Sequence, residues 1–169
     1  MKILTGILLL LLLGGCATYS GRGLQPGLSG LDDVIRTMGQ PAMRWRNSDG
    51  SSQLAYPRGP AGAQTFMAII GSNGKLISLE NVLDTKHFVQ IQPGMTKDQV
   101  LRILGPSEPA WTAYFARRDE LVWEWRHCNV WQQPARFDVL FDAGKGAVRS
   151  TMDMTESQRG MCGEYECMC

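Results

Sequence analysis

The sequence has 169 residues, and its 17 basic and 16 acidic side chains give a formal net charge of +1. Because acids and bases are interspersed, no basic stripe is available to bind a phosphate backbone, and nucleic acid is excluded as an expected partner. With 44% hydrophobic and 20% charged residues, the chain has the composition of a globular domain rather than of a disordered segment.

The N-terminus predicts a targeting segment. Lys2 precedes an apolar run from Ile3 to Leu13, which is too short to cross a bilayer and fits the apolar region of a secretory signal. The run ends in LGGC, which resembles the lipobox of bacterial lipoproteins. That resemblance implies removal of residues 1–15 as the signal peptide and attachment of lipid, including palmitate, to Cys16. The alternative is an ordinary signal peptide with a coincidental cysteine.

The residue after the cysteine bears on location. In Gram-negative lipoproteins an Asp there is typical of retention at the inner membrane, whereas this chain has Ala17. The resemblance therefore implies lipid anchoring in the outer membrane, facing the periplasm. Residues 16–23 comprise the lipidated cysteine and a polar, glycine-containing linker, which is short enough to hold the folded part near the lipid surface.

Residues 24–83 predict a first unit made of a helix followed by strands. The segment LQPGLSGLDDVIRTMGQP has an apolar helical face, with Ser29 as its predicted N-cap and Gly39 as its stop. The stretches SQLAY, QTFMAII and KLISLENVL follow, and their alternating apolar residues and the intervening GSNG turn predict an antiparallel meander.

Residues 91–155 predict a second unit of the same kind. The segment IQPGMTKDQVLRILGPSEP predicts a helix over 96–104, where Thr96 and Gln99 form a capping box and Gly105 ends the helix. Alternation in LVWEW and FDVLFD, and a further strand after the DAGKG turn, predict a second meander. The stretch AWTAYFA is a candidate for one additional strand before these.

The recurrence of helix, glycine stop and strand order predicts an α+β fold of two tandem units. Each unit is a short helix, or helix pair, packed on a three- to four-stranded antiparallel meander. A unit of about 65 residues is marginal alone, so we expect the copies to bury their faces against each other. We expect helices on one face and strands forming one larger curved sheet. The alternative is that the repeated QPG is a coincidence of turn residues.

These motifs resemble a known family. IQPGMTKDQVLRILGPSEP, followed by LVWEW and FDVLFDAGKGAV, resembles the SmpA/OmlA, or BamE-like, family of outer-membrane lipoproteins. Residues 91–154 match its pattern well and residues 24–83 match it weakly. The best-known member is a subunit of the machine that inserts β-barrels into the outer membrane. The tandem arrangement is also similar to the secreted β-lactamase inhibitor proteins, whose two repeats form a concave sheet that grips an enzyme.

The resemblance implies a binding role rather than an enzymatic one. We expect an outer-membrane lipoprotein that acts as a protein-binding accessory in the envelope or in β-barrel outer-membrane protein assembly and maintenance. Its expected partners are the outer membrane, through the lipid, and an envelope protein such as a component of the β-barrel assembly machinery. The alternatives are an inhibitor-type binder of a periplasmic enzyme and a structural lipoprotein that stabilises the envelope.

Residues 156–169 form a cysteine-rich tail. Besides the lipidated cysteine, the chain has four others: Cys128, Cys162, Cys167 and Cys169. In an oxidising compartment an even number predicts disulfides. A bridge between Cys167 and Cys169 would strain the bond geometry, so Cys128 is expected to pair with one of them and Cys162 with the other. A zinc site is the disfavoured alternative because the spacing lacks the usual C-x2-C pairs. Free thiols or intermolecular disulfides are a further alternative.

No catalytic motif is found. His127 neighbours Cys128, but adjacent residues on a strand face opposite sides and cannot form a nucleophile–base pair. Glu120 and Glu124 could share one strand face, as residues of surface strands often do. We therefore expect no catalytic residues, no cofactor, no metal and no small-molecule substrate.

Trp131 is the predicted partner-binding residue. It lies in HCNVWQQPAR, a polar loop between two predicted strands, and an exposed tryptophan is a common anchor at interfaces. Arg126 and Arg136 flank that loop and are expected to serve the same surface. Trp45 is the corresponding candidate in the first unit. Trp123 and Trp125 alternate with polar residues and are predicted to lie in the core.

Overall fold

A computed structural model describes residues 20–59, 62–162 and 167–169. The predicted signal peptide and the segment that resembles a lipobox, including Cys16, lie outside the described residues. Within the described ranges, no helix combines the length and apolar character that a bilayer span requires.

The first unit is one helix followed by four antiparallel strands paired in sequential order. Its elements are α1 (Leu31–Met38), β1 (Met43–Arg46), β2 (Ser52–Pro57), β3 (Thr65–Ile70) and β4 (Leu76–Asn81). The strand β1 was not predicted from sequence, because its four residues alternate apolar and charged over too short a stretch to be distinguished from a loop. A short helix, α2 (Thr85–Phe88), leads to the second unit.

The second unit repeats this order. Its elements are α3 (Lys97–Leu104), β5 (Ala113–Phe115), β6 (Glu120–Cys128), β7 (Pro134–Asp142) and β8 (Ala147–Thr155), with 3-10 turns at Pro109–Trp111 and Ala116–Arg118. The four strands again pair antiparallel in sequential order. The prediction of an α+β chain with two antiparallel meanders is therefore confirmed, and the candidate strand in AWTAYFA is β5.

The two units share the same hydrogen bonds where the QPG segments meet their sheets. The Gly27 N–H donates to the Leu76 carbonyl at 2.8 Å, and the Gly94 N–H donates to the Val148 carbonyl at 2.8 Å. In both units the amide of that same strand residue donates back to the residue just before the helix N-cap. The repeated segments thus fix each helix to the last strand of its own sheet.

The two helices begin at equivalent positions, which corrects the predicted cap of α1. The N-cap is Gly30, not Ser29, because the Asp33 carboxylate accepts the Gly30 N–H at 2.8 Å. The Ser29 hydroxyl instead accepts the Gln25 N–H at 2.9 Å. With Gly30 as cap, the two helices align without an insertion, 66 positions apart from N-cap to C-cap.

The capping box of α3 is present as predicted. The Thr96 hydroxyl accepts the Gln99 N–H at 3.3 Å, and the Gln99 side-chain carbonyl accepts the Thr96 N–H at 2.8 Å. These reciprocal bonds satisfy two of the amides that the first turn of a helix leaves without an intrahelical partner.

The strands do not form one larger curved sheet, and that expectation is wrong. The two four-stranded sheets are separate, and α3 lies between them. One face of the first sheet, which includes Leu54 and Ala68, packs on Val34 and Met38 of α1. Its other face joins a second cluster that contains residues of both units. We call this second cluster the shared core: it comprises Trp45, Ala55, Met67, Val82, Leu83, Phe88, Ile91, Val100, Leu104, Trp125, Phe137, Val139, Phe141 and Val148.

The end of α3 shows how closely the two sheets approach this helix. A Cβ on Gly105 would lie 2.7 Å from Thr65 Cγ2 in the first sheet. From the second sheet, the Trp125 indole N–H donates to the Gly105 carbonyl at 3.3 Å. At the start of α3, the Trp45 indole N–H donates to Asp98 at 3.2 Å. The helix is therefore held by both units.

This contact predicts different costs for two glycines with the same backbone conformation. Gly39 and Gly105 both have positive φ, at 83° and 74°, but a Cβ on Gly39 would meet no atom within 4 Å. We expect Gly39→Ala to lower the free energy of unfolding by about 1 to 2 kcal/mol through backbone strain alone. Gly105→Ala should cost a further 1 to 3 kcal/mol, roughly, because it also forces two packed elements apart. Urea unfolding of both variants measures the difference, and equal costs would contradict the close approach.

Candidate functional site

One face of the second sheet carries charged side chains that are buried or partly buried. Glu124 lies opposite Asp138, and Arg126 lies opposite Arg136, in the register of β6 and β7. These four residues alternate with the apolar ones that enter the shared core, so they share the opposite face. We call this the outer face.

The tail folds back over the outer face and completes an ion-pair network. Arg136 contacts Glu124 at 2.6 Å and Glu156 at 2.7 Å, and Arg126 also contacts Glu156 at 2.7 Å. Arg159 contacts Glu124 at 2.7 Å and Asp138 at 2.5 Å. The ion-pair network is the set of these six residues: Glu124, Arg126, Arg136, Asp138, Glu156 and Arg159. Three carboxylates thus balance three guanidinium groups, as buried charges require.

The network accounts for two of the predicted partner-binding residues. Arg136 is 8% exposed, and its guanidinium carbon lies 3.9 Å from the ring centroid of Trp111. Arg126 is held by both carboxylate oxygens of Glu156. The structure therefore buries Arg136 within the unit, whereas Arg126 keeps 29% of its side chain exposed and is paired with the tail. Sequence could not show this, because Glu156 is 30 residues from Arg126.

Trp45 is also placed inside the molecule. It is 9% exposed, belongs to the shared core and donates its indole N–H to Asp98 of the second unit. The Trp45 ring therefore faces the second unit of the same chain. Because β1 was not predicted from the sequence, the inward direction of the Trp45 ring was not predicted either.

Trp131 is placed on the surface. It is 77% exposed and its neighbour Val130 is 80% exposed, at the tip of the β6–β7 hairpin. The Asn129 side-chain carbonyl accepts the N–H groups of Trp131 and Gln133, both at 2.9 Å. Gln132 takes a left-handed conformation, with φ at 58°. We call Val130 and Trp131 the hairpin tip.

A disulfide lies at the base of the hairpin tip. Cys128 is bonded to Cys169, and Cys162 is bonded to Cys167, which is one of the two pairings that the sequence left open. The Cys169 N–H also donates to the Gln132 carbonyl at 2.8 Å. The end of the tail is therefore tied to the turn that presents Trp131.

Each of the two histidines lies within hydrogen-bonding distance of a carboxylate. His87 Nδ1 lies 2.7 Å from Asp84, and His127 Nε2 lies 2.8 Å from Asp153. His127 is 2% exposed and packs edge-on against Phe88, whereas the neighbouring Cys128 is committed to its disulfide. Among the described residues, no three potential metal-ligating side chains come together.

The ionisation of Asp138 is shifted by its position on the outer face. Burial, with a smaller contribution from the adjacent Glu124, raises its pKa to about 6, although Arg159 acts in the opposite direction. Glu156 is shifted the other way, because the hydrogen bond from Arg126 holds its pKa below the usual value. The network therefore contains one carboxyl group that takes up a proton near neutral pH.

Beside the network lies a cavity of about 260 Å³, which we call the Trp111 cavity. Its lining includes Trp111, Phe115 and Met152 as well as the network residues Asp138 and Arg159. No sequence pattern indicated this cavity, because it is built from two 3-10 turns, all four strands of the second sheet and the tail.

Comparisons with known proteins identify no relative. No protein-family model matches the sequence, and no curated protein matches it. Among solved structures, the chain is similar to the 1.5 Å crystal structure of an extracellular protein containing an SCP domain from Bacillus anthracis str. Ames. The TM-score is 0.29 and the identity is 11%, over 80% of this chain and 45% of that chain. The chain thus spans less than half of that protein, and a TM-score this low establishes no shared fold.

The raised pKa of Asp138 predicts how stability depends on pH. The folded state keeps the proton up to about pH 6, whereas the unfolded chain releases it near its usual value of 3.8. The stabilisation from this proton is complete below pH 3.8 and is lost as pH rises through 6. We expect wild type to lose about 1 to 2 kcal/mol relative to Asp138→Asn between pH 4.5 and 7.5, since each unit of pKa shift corresponds to about 1.4 kcal/mol.

Glu156→Gln provides the control of opposite sign. The pKa of Glu156 is lowered in the folded state, so its contribution is present above its usual pKa of 4.5 and is lost only at lower pH. Urea unfolding should therefore give a constant difference between wild type and Glu156→Gln from pH 5.5 to 7.5. A constant difference for Asp138→Asn over pH 4.5 to 7.5 would contradict the assignment.

Proposed function

We propose that this protein is an outer-membrane lipoprotein that binds a protein partner in the envelope. In this proposal Cys16 carries the lipid, the two α+β units are BamE-like, and the partner belongs to β-barrel outer-membrane protein assembly or maintenance. The repeated helix-plus-meander architecture and the duplicated QPG contacts support the tandem arrangement. The resemblance of residues 91–154 to the family motif supports the role.

The hairpin tip carries the binding proposal. Val130 and Trp131 are adjacent, large and apolar, and about four-fifths of each is exposed. Binding of a partner would remove this apolar surface from water. Because hydrogen bonds to Asn129 and the Cys128–Cys169 bond already order this turn, a partner would pay little conformational entropy to bind it. Tryptophan is one of the residue types enriched among the few residues that carry most of the binding energy of an interface.

The alternative of an inhibitor-type binder receives less support. It rests on two repeats forming one concave sheet that grips an enzyme, and here α3 separates the two sheets. If the hairpin tip has no stable partner, the alternative of a structural lipoprotein that stabilises the envelope is favoured.

Photo-crosslinking from the hairpin tip tests the proposal. We expect a photo-reactive residue in place of Trp131 to give discrete adducts with an envelope protein in the outer-membrane fraction. Ile77 provides the matched control, since it is an apolar residue on the first unit that is 58% exposed. Adducts from position 77 with none from position 131 would contradict the proposed binding surface.

The Trp131→Ala variant completes this test. Because Trp131 is 77% exposed, its loss should change the free energy of unfolding by less than about 0.5 kcal/mol. A lost partner could then be assigned to the missing contact. Unfolding measurements on the variant check this, and retention of every co-purified partner by Trp131→Ala would remove the hairpin tip from the interface.

A further inference from the structure

The last strand of the second sheet, β8, forms an open edge. It pairs with β7 on one side, and no further strand of that sheet lies on the other side within the described ranges. Five consecutive residues of β8, 149–153, are exposed. An edge strand presents backbone N–H and C=O groups to solvent, and these groups bind another extended backbone unless the protein prevents it. We call residues 149–154 the β8 edge.

Both ends of the β8 edge are bounded by contacts that the chain makes with itself. Before it, the Val148 N–H donates to the Met95 carbonyl at 2.8 Å. After it, the Thr155 N–H donates to the side-chain carbonyl of Gln158 at 2.8 Å, and the Thr155 carbonyl accepts the Arg159 N–H at 3.2 Å. The backbone groups of Val148 and Thr155 therefore point away from β7.

Two residues between these ends have outward backbone groups without partners. Successive residues of a paired strand turn their N–H and C=O groups to alternate sides, and the pairing with β7 is regular from Ser150 to Thr155. Because Thr155 points outward, Asp153 and Thr151 also point outward. In the part of the chain that the structure describes, no group bonds to their outward backbone atoms. The β8 edge thus offers two amide donors and two carbonyl acceptors.

The β8 edge lacks the residues that usually protect an edge strand. Its sequence is RSTMDM, without the lysine or proline that commonly blocks pairing. Both of its charged side chains are directed to their own sheet: Arg149 lies 3.0 Å from Asp142, and Asp153 lies 2.8 Å from His127. A β-bulge, which also protects edges, precedes Ser150 and leaves the rest of the strand regular.

The corresponding strand of the first unit, β4, is more covered. Leu79 occupies the position in β4 that Thr151 occupies in β8, relative to the bulge in each strand. Leu79 is half-buried, and the chain at Gly21 lies so close that a Cβ there would collide with it. In the second unit, the residues before the QPG segment turn inward instead, and Phe88 stacks on Phe137 in the shared core. The β8 edge is therefore left without the cover that β4 has.

We propose that the β8 edge binds an extended segment of another protein, which adds to the second sheet as an antiparallel fifth strand. The segment continues the antiparallel pairing that Thr96 already makes with Ala147. Thr151 and Asp153 exchange hydrogen bonds with the two segment residues opposite them. The residue between those two lies on the outer face beside Met152, which is 43% exposed, so an apolar side chain fits there best.

The bounded ends favour a single segment over a second copy of this chain. Six residues of a regular strand span about 20 Å, which admits a segment of about five residues. A second copy pairing through its own β8 would bring its own QPG segment and tail against the ends of this edge, where the same elements already lie. A segment that projects from a partner lacks these obstacles. The proposal requires neither the lipid nor the hairpin tip.

Amide NMR on the full-length protein in detergent tests the edge with the acetylated and amidated peptide TTVTT. We expect saturable shifts of the Thr151 and Asp153 amide signals. The dissociation constant should be millimolar, because each hydrogen bond made at a water-exposed edge contributes little net free energy.

Two N-methylated peptides are matched controls. With the valine opposite Met152, the N–H groups of the second and fourth peptide residues face β8, and methylating both should weaken binding by about tenfold or more. The N–H groups of the third and fifth residues face away, so methylating these two should change binding by less than about threefold.

Two substitutions at one position locate the site. Thr151→Pro removes the outward N–H without removing a bond to β7, and should weaken binding by about tenfold or more. Thr151→Val keeps the N–H and should bind as wild type does. An unchanged indole N–H signal of Trp125 in the shared core shows that each variant is folded. Trp131→Ala should also bind the peptide as wild type does, so failure of this proposal is distinguishable from failure of the hairpin tip.

Three results would overturn the proposal: absence of saturable shifts at Thr151 and Asp153, equal effects of the two N-methylated peptides, or undiminished binding by Thr151→Pro. Sedimentation measurements address the second copy. A dimer that Thr151→Pro abolishes would assign the β8 edge to pairing between copies of this chain, and would also overturn the proposal.

Discussion

The structure depends on one helix that two sheets share. Val100 and Leu104 of α3 are fully buried in a core that also contains Ala55 and Met67 of the first sheet and Phe141 of the second. Short helices do not persist in water without packing, and a unit of about 65 residues is only marginally stable alone. The duplication therefore provides a second sheet to cover the helix, and the copies are stacked instead of joined edge to edge.

This stacking determines which surfaces are left for binding. The first sheet is covered on one side by α1 and on the other by the shared core, whereas the second sheet turns its outer face away from the first unit. That outer face carries the ion-pair network, and the tail closes it through Glu156 and Arg159. The Cys128–Cys169 bond then ties the tail to the turn bearing Trp131. The ion-pair network, the Cys128–Cys169 bond and the hairpin tip thus all lie on the second unit.

The sequence predicted what depends on near neighbours. The capping box of Thr96 and Gln99 and the alternation of Trp123 and Trp125 need only residues a few positions apart, and the elements they indicated are present. The sequence could not predict which elements pack against each face of a sheet. Alternation shows that Arg136 and Trp125 point to opposite sides of a sheet, but the acids that pair with Arg136 come from β6 and the tail. The Trp111 cavity likewise depends entirely on tertiary packing.

Hydrogen exchange in Leu104→Ala tests the central claim most directly. Removing a fully buried leucine from the shared core should cost about 2 to 5 kcal/mol. If α3 holds both sheets, the slowest-exchanging amides of β3 and of β7 lose protection by the same free energy, because both report one cooperative unfolding event. Loss of protection in β7 with wild-type protection in β3 would show that the two units are stable separately and would contradict the account.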